Sequence, residues 1–429
     1  MTKEPNSMDS ALWRGMTQPR VSRRDALRIG GLGLGAAGLG LGAVSNAAGA
    51  ALPNANVGSA TWWKAQKTNK QLRFANWPYY VDTTGGHHLS LDHLAAVTGI
   101  HTTYNEVIED NGSFYQRILP SLSAHSDTGY DLIVLTNNSV ELGYLIKGGW
   151  LVPLDPTSMV NFNKYAGPLV KKPSWDPTNK YTMAWQSGWC TLAYNKDHVT
   201  TPGSSLSLMF NSKYKGKVGM LADPVELGTL GLLALGINPV TSKPSDWQKA
   251  ATKLRWQRDS GIVAGYYDNS YIQHLKNGDL WIAHCYSGDI FQATVNGNKN
   301  LAFMVPTEGM PFWTDNMCIP LNARNPRDAM TAMDYYFSPQ TQSVVEYYVD
   351  YICPVPNAKN ELLAPTGWNK ATLASMRSEI GLAPSVTANS PDIFPTAAMT
   401  KASRNYYQFK SQTEIDTWHG LFLPIVQGA

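Results

Sequence analysis

The alternation of apolar and polar positions divides most of this chain into short strands and helices in turn. Residues 71–77 read as a strand, and 91–98 as a helix with Ser90 as its cap and Gly99 as its stop. Residues 100–104 follow as a strand, then 114–122 as a helix capped by Asn111 or Ser113. An apolar run at 130–135 has strand length, and 140–147 has helical spacing. The pattern continues with strands at 182–194, 217–221, 280–286 and 302–305, and helices at 228–236, 245–260, 328–337 and 340–349. This β-α-β-α order predicts an α/β fold with a largely parallel sheet. Ligands of such sheets bind beyond the carboxyl ends of strands, so the strand exits are the places to inspect.

The first fifty residues break the pattern. Arg23-Arg24 precede an uncharged Gly/Leu/Ala run over 29–44, which ends in Ala48-Gly49-Ala50. Basic region, apolar region and small-residue cleavage site form an export signal, and the paired arginines resemble the twin-arginine type. Ala26 departs from that motif, which usually carries a large apolar residue there. Seven glycines make the run too weakly hydrophobic for a membrane anchor. With no cysteine near the cleavage site, no lipid anchor is expected, and the mature protein is placed in the periplasm or outside the cell. Residues 51–70 read as a polar leader.

Charge then changes the picture. The chain carries 35 Lys+Arg and 32 Asp+Glu. The segment 1–50 holds six of the bases and three of the acids, leaving 29 of each. A neutral mature chain is not expected to bind nucleic acid. Charged residues are 16% and aromatics 11%, with 14 Trp and 21 Tyr, a composition that excludes a mainly disordered chain. Cys190, Cys285, Cys318 and Cys353 all lie in the mature part. They could form two disulfides or remain buried thiols. Their spacing contains no CxxC or CxxH, so no metal or other cofactor is expected.

The strand exits concentrate aromatic rings and carboxylates. They read Asn76-Trp77-Pro78-Tyr79-Tyr80, Asp223-Pro224-Val225-Glu226, Tyr286-Ser287-Gly288-Asp289, Phe312-Trp313-Thr314-Asp315-Asn316 and Asp350-Tyr351. Asp223 and Glu226 fit a capping box, with Asp223 at the cap and Pro224 in the first turn. They also fit a cation site, because carboxylates beside ring faces suit an alkyl amine, whose methylenes need flat apolar walls and whose ammonium groups need negative charge.

The chain from 72 to 357 resembles the spermidine/putrescine-binding proteins of ABC importers. The stretches that carry the resemblance include Phe74-Ala75-Asn76-Trp77-Pro78-Tyr79-Tyr80-Val81, Tyr130-Asp131-Leu132-Ile133-Val134 and Trp185-Gln186-Ser187-Gly188-Trp189. Tyr214-Lys215-Gly216-Lys217-Val218, Ser287-Gly288-Asp289, Trp313-Thr314-Asp315 and Pro354-Val355-Pro356-Asn357 continue it in order. The resemblance implies a type II periplasmic-binding-protein fold of two α/β lobes with two crossover segments, and no catalysis. It assigns 71–190 with 314–360 to lobe 1, and 191–313 with 361–429 to lobe 2. It places Asp223, Glu226 and Asp315 on the amine groups, and Trp77, Tyr80, Tyr286, Trp313 and Tyr351 on an aromatic box. It implies a polyamine ligand, an ABC permease partner and a monomer. Departures are Thr136-Asn137-Asn138 where an aromatic is common, Tyr79 where some members are acidic, and Tyr286 where Trp is frequent.

Two other readings use the same residues. Ferric-binding relatives of this fold use paired tyrosines and histidine, and the chain has Tyr79-Tyr80, Tyr266-Tyr267 and His87-His88. A secreted glycosidase would use paired carboxylates and Trp platforms, but Asp223 and Glu226 lie on one helical face, whereas hydrolysis needs carboxyls flanking a bond.

Overall fold

The computed structural model describes residues 56–428. The signal expected over 1–50 lies outside the described residues. Ten strands form one sheet: β1 (Gln71–Asn76), β2 (His101–Glu106), β3 (Leu132–Thr136), β4 (Met183–Asn195), β5 (Val218–Leu221), β6 (Val263–Tyr267), β7 (Ile282–Tyr286), β8 (Leu301–Met304), β9 (Met310–Cys318) and β10 (Ser403–Arg404). Their order is β2-β1-β3-β9-β4-β7-β5-β6, with β10 beside β9 and β8 beside β4.

The two ends of this sheet are parallel: β1 pairs with β2 and β3, and β5 with β6 and β7. The middle is antiparallel, which the expectation of a largely parallel sheet missed. The reason is connectivity. β4 crosses from the first half to the second and β9 returns, so the two long strands must run in opposite directions. Residues 183–189 of β4 pair with β9, and residues 190–194 pair with β7. All five residues of β3 are buried, as in a strand covered on both faces.

Each half has its own apolar core. Phe74, Leu132, Trp185, Met333 and Tyr336 anchor the first. Val218, Leu230, Trp247, Leu254 and Trp418 anchor the second. The tail is shared between them, which corrects the boundary drawn at 361. Leu362, Leu373, Met376 and Ala388 pack on Val344 and Tyr347 of helix Pro339–Val349, in the first half. The later segment, with Tyr407, Trp418 and Phe422, packs on the second. The stretch 51–70 is not wholly a leader either. Helix Ala60–Ala65 is capped by Ser59 and buries Trp63, whose indole donates to the Pro153 carbonyl at 2.9 Å.

The four cysteines are free, buried thiols. Register explains why Cys190 and Cys285 do not bridge: Cys285 lies opposite Thr191, one strand step away, so the two sulfurs leave opposite faces. Among the described residues no helix is long and apolar enough to cross a membrane.

Asp131, fully buried before β3, ties the first half together. Its carboxylate accepts from the Arg73 guanidinium at 2.6 and 3.0 Å, and from the backbone N–H groups of Arg73, Arg324 and Asn325. Burial alone would raise its pKa, but the Arg73 and Asn325 hydrogen bonds outweigh that and hold it below the usual carboxylate range. A depressed carboxylate stabilises the fold above its unfolded pKa and loses that contribution as pH falls through its folded value. Asp131→Ala should therefore lower unfolding free energy by about 3–5 kcal/mol at about pH 7. Urea denaturation should show the gap to the parent narrowing below about pH 4.

Candidate functional site

The crossover strands set the floor of the site. Side chains alternate across a strand, so Trp313 and Asp315 of β9 share one face. On β4, Gly188 lies opposite Trp313 and Gln186 opposite Asp315, so both belong to that face. Gly188 is required there: a Cβ on it would fall 2.3 Å from the Trp313 ring. Asp315 is 5% exposed. Its Oδ2 accepts from the Tyr80 hydroxyl at 2.6 Å, and its Oδ1 from the Thr136 hydroxyl at 2.5 Å. Tyr80 comes from the exit of β1 and Thr136 from the end of β3. Two segments of the first half thus converge on one carboxylate of the crossover.

A row of rings runs from it. Tyr80 and Tyr351 meet edge to face at 5.8 Å, Tyr351 and Trp313 at 5.2 Å, and Trp313 and Tyr286 at 6.4 Å. Tyr351 follows Asp350, which ends helix Pro339–Val349 in the left-handed conformation with φ 57°. Its ring lies over Gly288, where a Cβ would come within 2.8 Å. Four of the five expected aromatic residues therefore form one wall. Trp77 is half-buried and packs against two core clusters of the first half.

The two remaining carboxylates diverge. Asp223 is exposed, and its Oδ1 caps helix Pro224–Leu233 by accepting from the N–H groups of Val225 at 2.7 Å and Glu226 at 3.1 Å. The capping reading thus holds for Asp223. Glu226 does not complete a capping box but turns inward and is fully buried. It accepts from the Asn138 amide at 3.0 Å and from the Tyr406 hydroxyl at 2.9 Å to both oxygens. Burial, helped by the charge of Asp223, pushes its pKa up to about 7 against the pull of these hydrogen bonds.

Beside Glu226, the Cys190 thiol and His284 Nε2 lie 2.9 Å apart. Burial pushes the thiol up and the imidazole down to about 3, so both are neutral. The donor atoms of Cys190, Glu226 and His284 fall within 4.8 Å of one another, the one such group among the described residues that could hold a metal ion. Thiolate, imidazole and carboxylate are zinc-type donors. Here the thiol and the imidazole Nε2 bond each other and the carboxylate bonds Asn138 and Tyr406, which leaves only His284 Nδ1 without a hydrogen bond. The residues of the ferric reading do not converge. Tyr80 holds Asp315, Tyr266 packs in the second core, Tyr267 contacts His274, and His88 contacts Tyr104.

Several groups at the site lack a protein partner. Both amide atoms of Gln186, Nε1 of Trp313 and Nδ2 of Asn137 are buried without a hydrogen bond. Each such group costs about 1–3 kcal/mol unless something supplies the missing bond. Gln186 and Tyr406 were not expected at the site from the sequence, and Thr136 and Asn138 were noted there only as a departure from the family pattern. The signal for Gln186 was available: the largest polar side chain between the apolar Met183-Ala184-Trp185 run and Trp189.

Glu226 makes a pH-dependent contribution of opposite sign to Asp131. A carboxylate whose folded pKa is raised stabilises the fold below its unfolded pKa, and loses that contribution as pH rises through its folded value. Asp350 and Asp392 are also pushed to about 7 by burial, so a variant is needed to isolate Glu226. Thermal melts of ligand-free protein from about pH 5 to about pH 8 should show a smaller loss of stability in Glu226→Gln than in the parent. Parallel profiles would mean that Glu226 does not titrate in this window.

Comparison with known proteins fits this arrangement. The family model of the bacterial extracellular solute-binding proteins matches residues 106–374. The spermidine/putrescine-binding periplasmic protein of Escherichia coli K12 is 27% identical over 307 residues, covering 71% of this chain and 83% of that protein. The putrescine/cadaverine-binding protein of Pseudomonas aeruginosa is 29% identical over 247 residues, covering 54% and 67%. Among solved structures, a spermidine/putrescine ABC transporter substrate-binding protein from Streptococcus pneumoniae superposes with a TM-score of 0.67 at 21% identity, covering 83% of this chain and 98% of that one. These relatives are binding components of transporters, not enzymes, and the two-lobed architecture is theirs. The chain belongs to the bacterial extracellular solute-binding proteins.

Proposed function

We propose that this protein is the extracytoplasmic component of an ABC importer and binds an alkyl amine of the polyamine class between its two lobes. The observation that carries the reading is Asp315, a buried carboxylate on a crossover strand at the foot of the Tyr80–Tyr351–Trp313–Tyr286 wall. An ammonium group gains a charge-assisted hydrogen bond from such a carboxylate, and its methylenes gain the ring faces. Gln186, in register with Asp315, offers an amide oxygen that a second ammonium hydrogen can reach. The names of the curated relatives, which bind putrescine, spermidine or cadaverine, support the same class.

Hinge motion follows from the topology. The lobes are joined through β4 and β9, and Asn138 of the first meets Glu226 of the second, so bond formation across the cleft accompanies closure. The closed form is what a membrane permease would receive, from a monomer exported by the signal over 1–50 and not held by lipid.

Calorimetry should find putrescine, spermidine or agmatine binding tighter than about 10 μM. Failure of all three would remove the amine assignment. Asp315→Asn should weaken the best ligand by more than about 1.5 kcal/mol, roughly tenfold. Gln186→Leu should separate binding from stability. It removes buried amide atoms that lack partners, so the ligand-free melting temperature should hold or rise while affinity falls. A variant that binds normally would take Gln186 out of the site.

A further inference from the structure

The tail supplies a residue to the site from outside the segment that the family model matches. β10 runs beside the start of β9, with Ser403 opposite Met310 and Arg404 opposite Pro311. Two residues later Tyr406 turns in and is fully buried. Its hydroxyl bonds Glu226, whose carboxylate lies within 4.8 Å of the Cys190 sulfur, and Cys190 stands opposite Tyr286 in the β4–β7 register, which puts Tyr406 at the Tyr286 end of the aromatic wall. The chain then straps the lobes together. Lys147 donates to the Phe409 carbonyl at 2.7 Å, and the Tyr144 hydroxyl to Gln412 at 2.8 Å, both from the first lobe. Helix Gln412–Val426 follows on the second lobe, where the Trp418 indole donates to the Pro224 carbonyl at 2.9 Å. Tyr406 is therefore held by strand pairing before it and by a two-lobe strap after it.

What Tyr406 holds is the second inward-facing carboxylate of the site. A diamine presents an ammonium at each end and needs an acceptor for each. Asp315 stands at one end of the wall. At the other, both Glu226 oxygens accept from the Tyr406 hydroxyl, one also accepts from Asn138, and the Cys190–His284 pair closes the remaining side. An ammonium reaching Glu226 must displace a hydroxyl fixed by the strap. A ligand whose far end is neutral needs no such displacement.

We propose that Tyr406 is a specificity-determining residue, whose hydroxyl occupies at Glu226 the place of a second ammonium and so favours amines with a single charged end. This rests on the reading of Asp315 as an ammonium site, and it narrows the ligand class within that reading. The ligand suited to the site has one ammonium, a short apolar chain and a neutral or hydrogen-bonding far end.

The test is a calorimetric comparison of putrescine with N-acetylputrescine on four proteins: parent, Tyr406→Phe, Glu226→Gln and the double variant. The phenylalanine keeps the ring, and a melt of each variant confirms folding. In the parent, N-acetylputrescine should bind at least as tightly as putrescine, and Glu226→Gln should change putrescine affinity less than about threefold. Tyr406→Phe should move the ratio at least about tenfold toward putrescine, and Glu226→Gln in that background should abolish the gain, a coupling that a merely structural tyrosine would not show. The proposal is overturned if the parent prefers putrescine and Tyr406→Phe leaves the ratio unchanged, or if Glu226→Gln alone weakens putrescine as much as Asp315→Asn does. Either result leaves the amine assignment standing. Loss of binding for both ligands in the parent overturns the two together.

Discussion

The antiparallel pairing of β4 with β9 is the constraint on which the rest depends. These strands alone carry the sheet from one parallel half to the other, and their register fixes which side chains meet at the junction. Because Gly188 faces Trp313 and Gln186 faces Asp315, the ring has a floor without a Cβ and the carboxylate has an amide beside it. A one-residue slip of β9 against β4 would turn both Trp313 and Asp315 to the opposite face. Thr136 and Tyr80 then reach Asp315 from β3 and the exit of β1, so the carboxylate is oriented by elements that the fold already holds in place.

Three carboxylates that look alike in the sequence have separate physical roles. Asp223 stabilises a helix end from the solvent side. Glu226, three residues later, is turned into the protein, where burial raises its pKa to about 7 and neutral donors satisfy it. Asp315 sits on a strand beside aromatic rings. The difference lies in which backbone element carries each group, and in how many neutral hydrogen bonds already meet it. A spacing of three places two side chains near one face of a helix, but at a first turn it lets one cap the backbone while the other goes inward.

Much of this was legible in the residues. The helix at 140–147 matched its spacing, Gly99 and Asp223 ended and began helices as their chemistry dictates, and four of the five aromatic residues at strand exits, all but Trp77, form one wall. Other features were not legible. β9 reads as a cluster of rings and carboxylates, and only its pairing with β3 and β4 reveals a strand. Ser90 looked like a cap, but it lies inside helix Leu89–Thr98, where its N–H donates to Asp82. The division of the tail between lobes depends on contacts some 180 residues apart, such as Tyr406 with Glu226. Local periodicity carries no information about such contacts.

The central claim is that an amine lies between the lobes with its ammonium on Asp315. A crystal structure of the protein grown with its tightest-binding amine tests this most directly. The account predicts a ligand nitrogen about 2.7–3.1 Å from an Asp315 carboxylate oxygen, with the methylenes against Tyr80, Tyr351 and Trp313. A ligand bound elsewhere, for instance in the cavity lined by Phe291, Phe303 and Asp392, with the Asp315 carboxylate untouched, would contradict it.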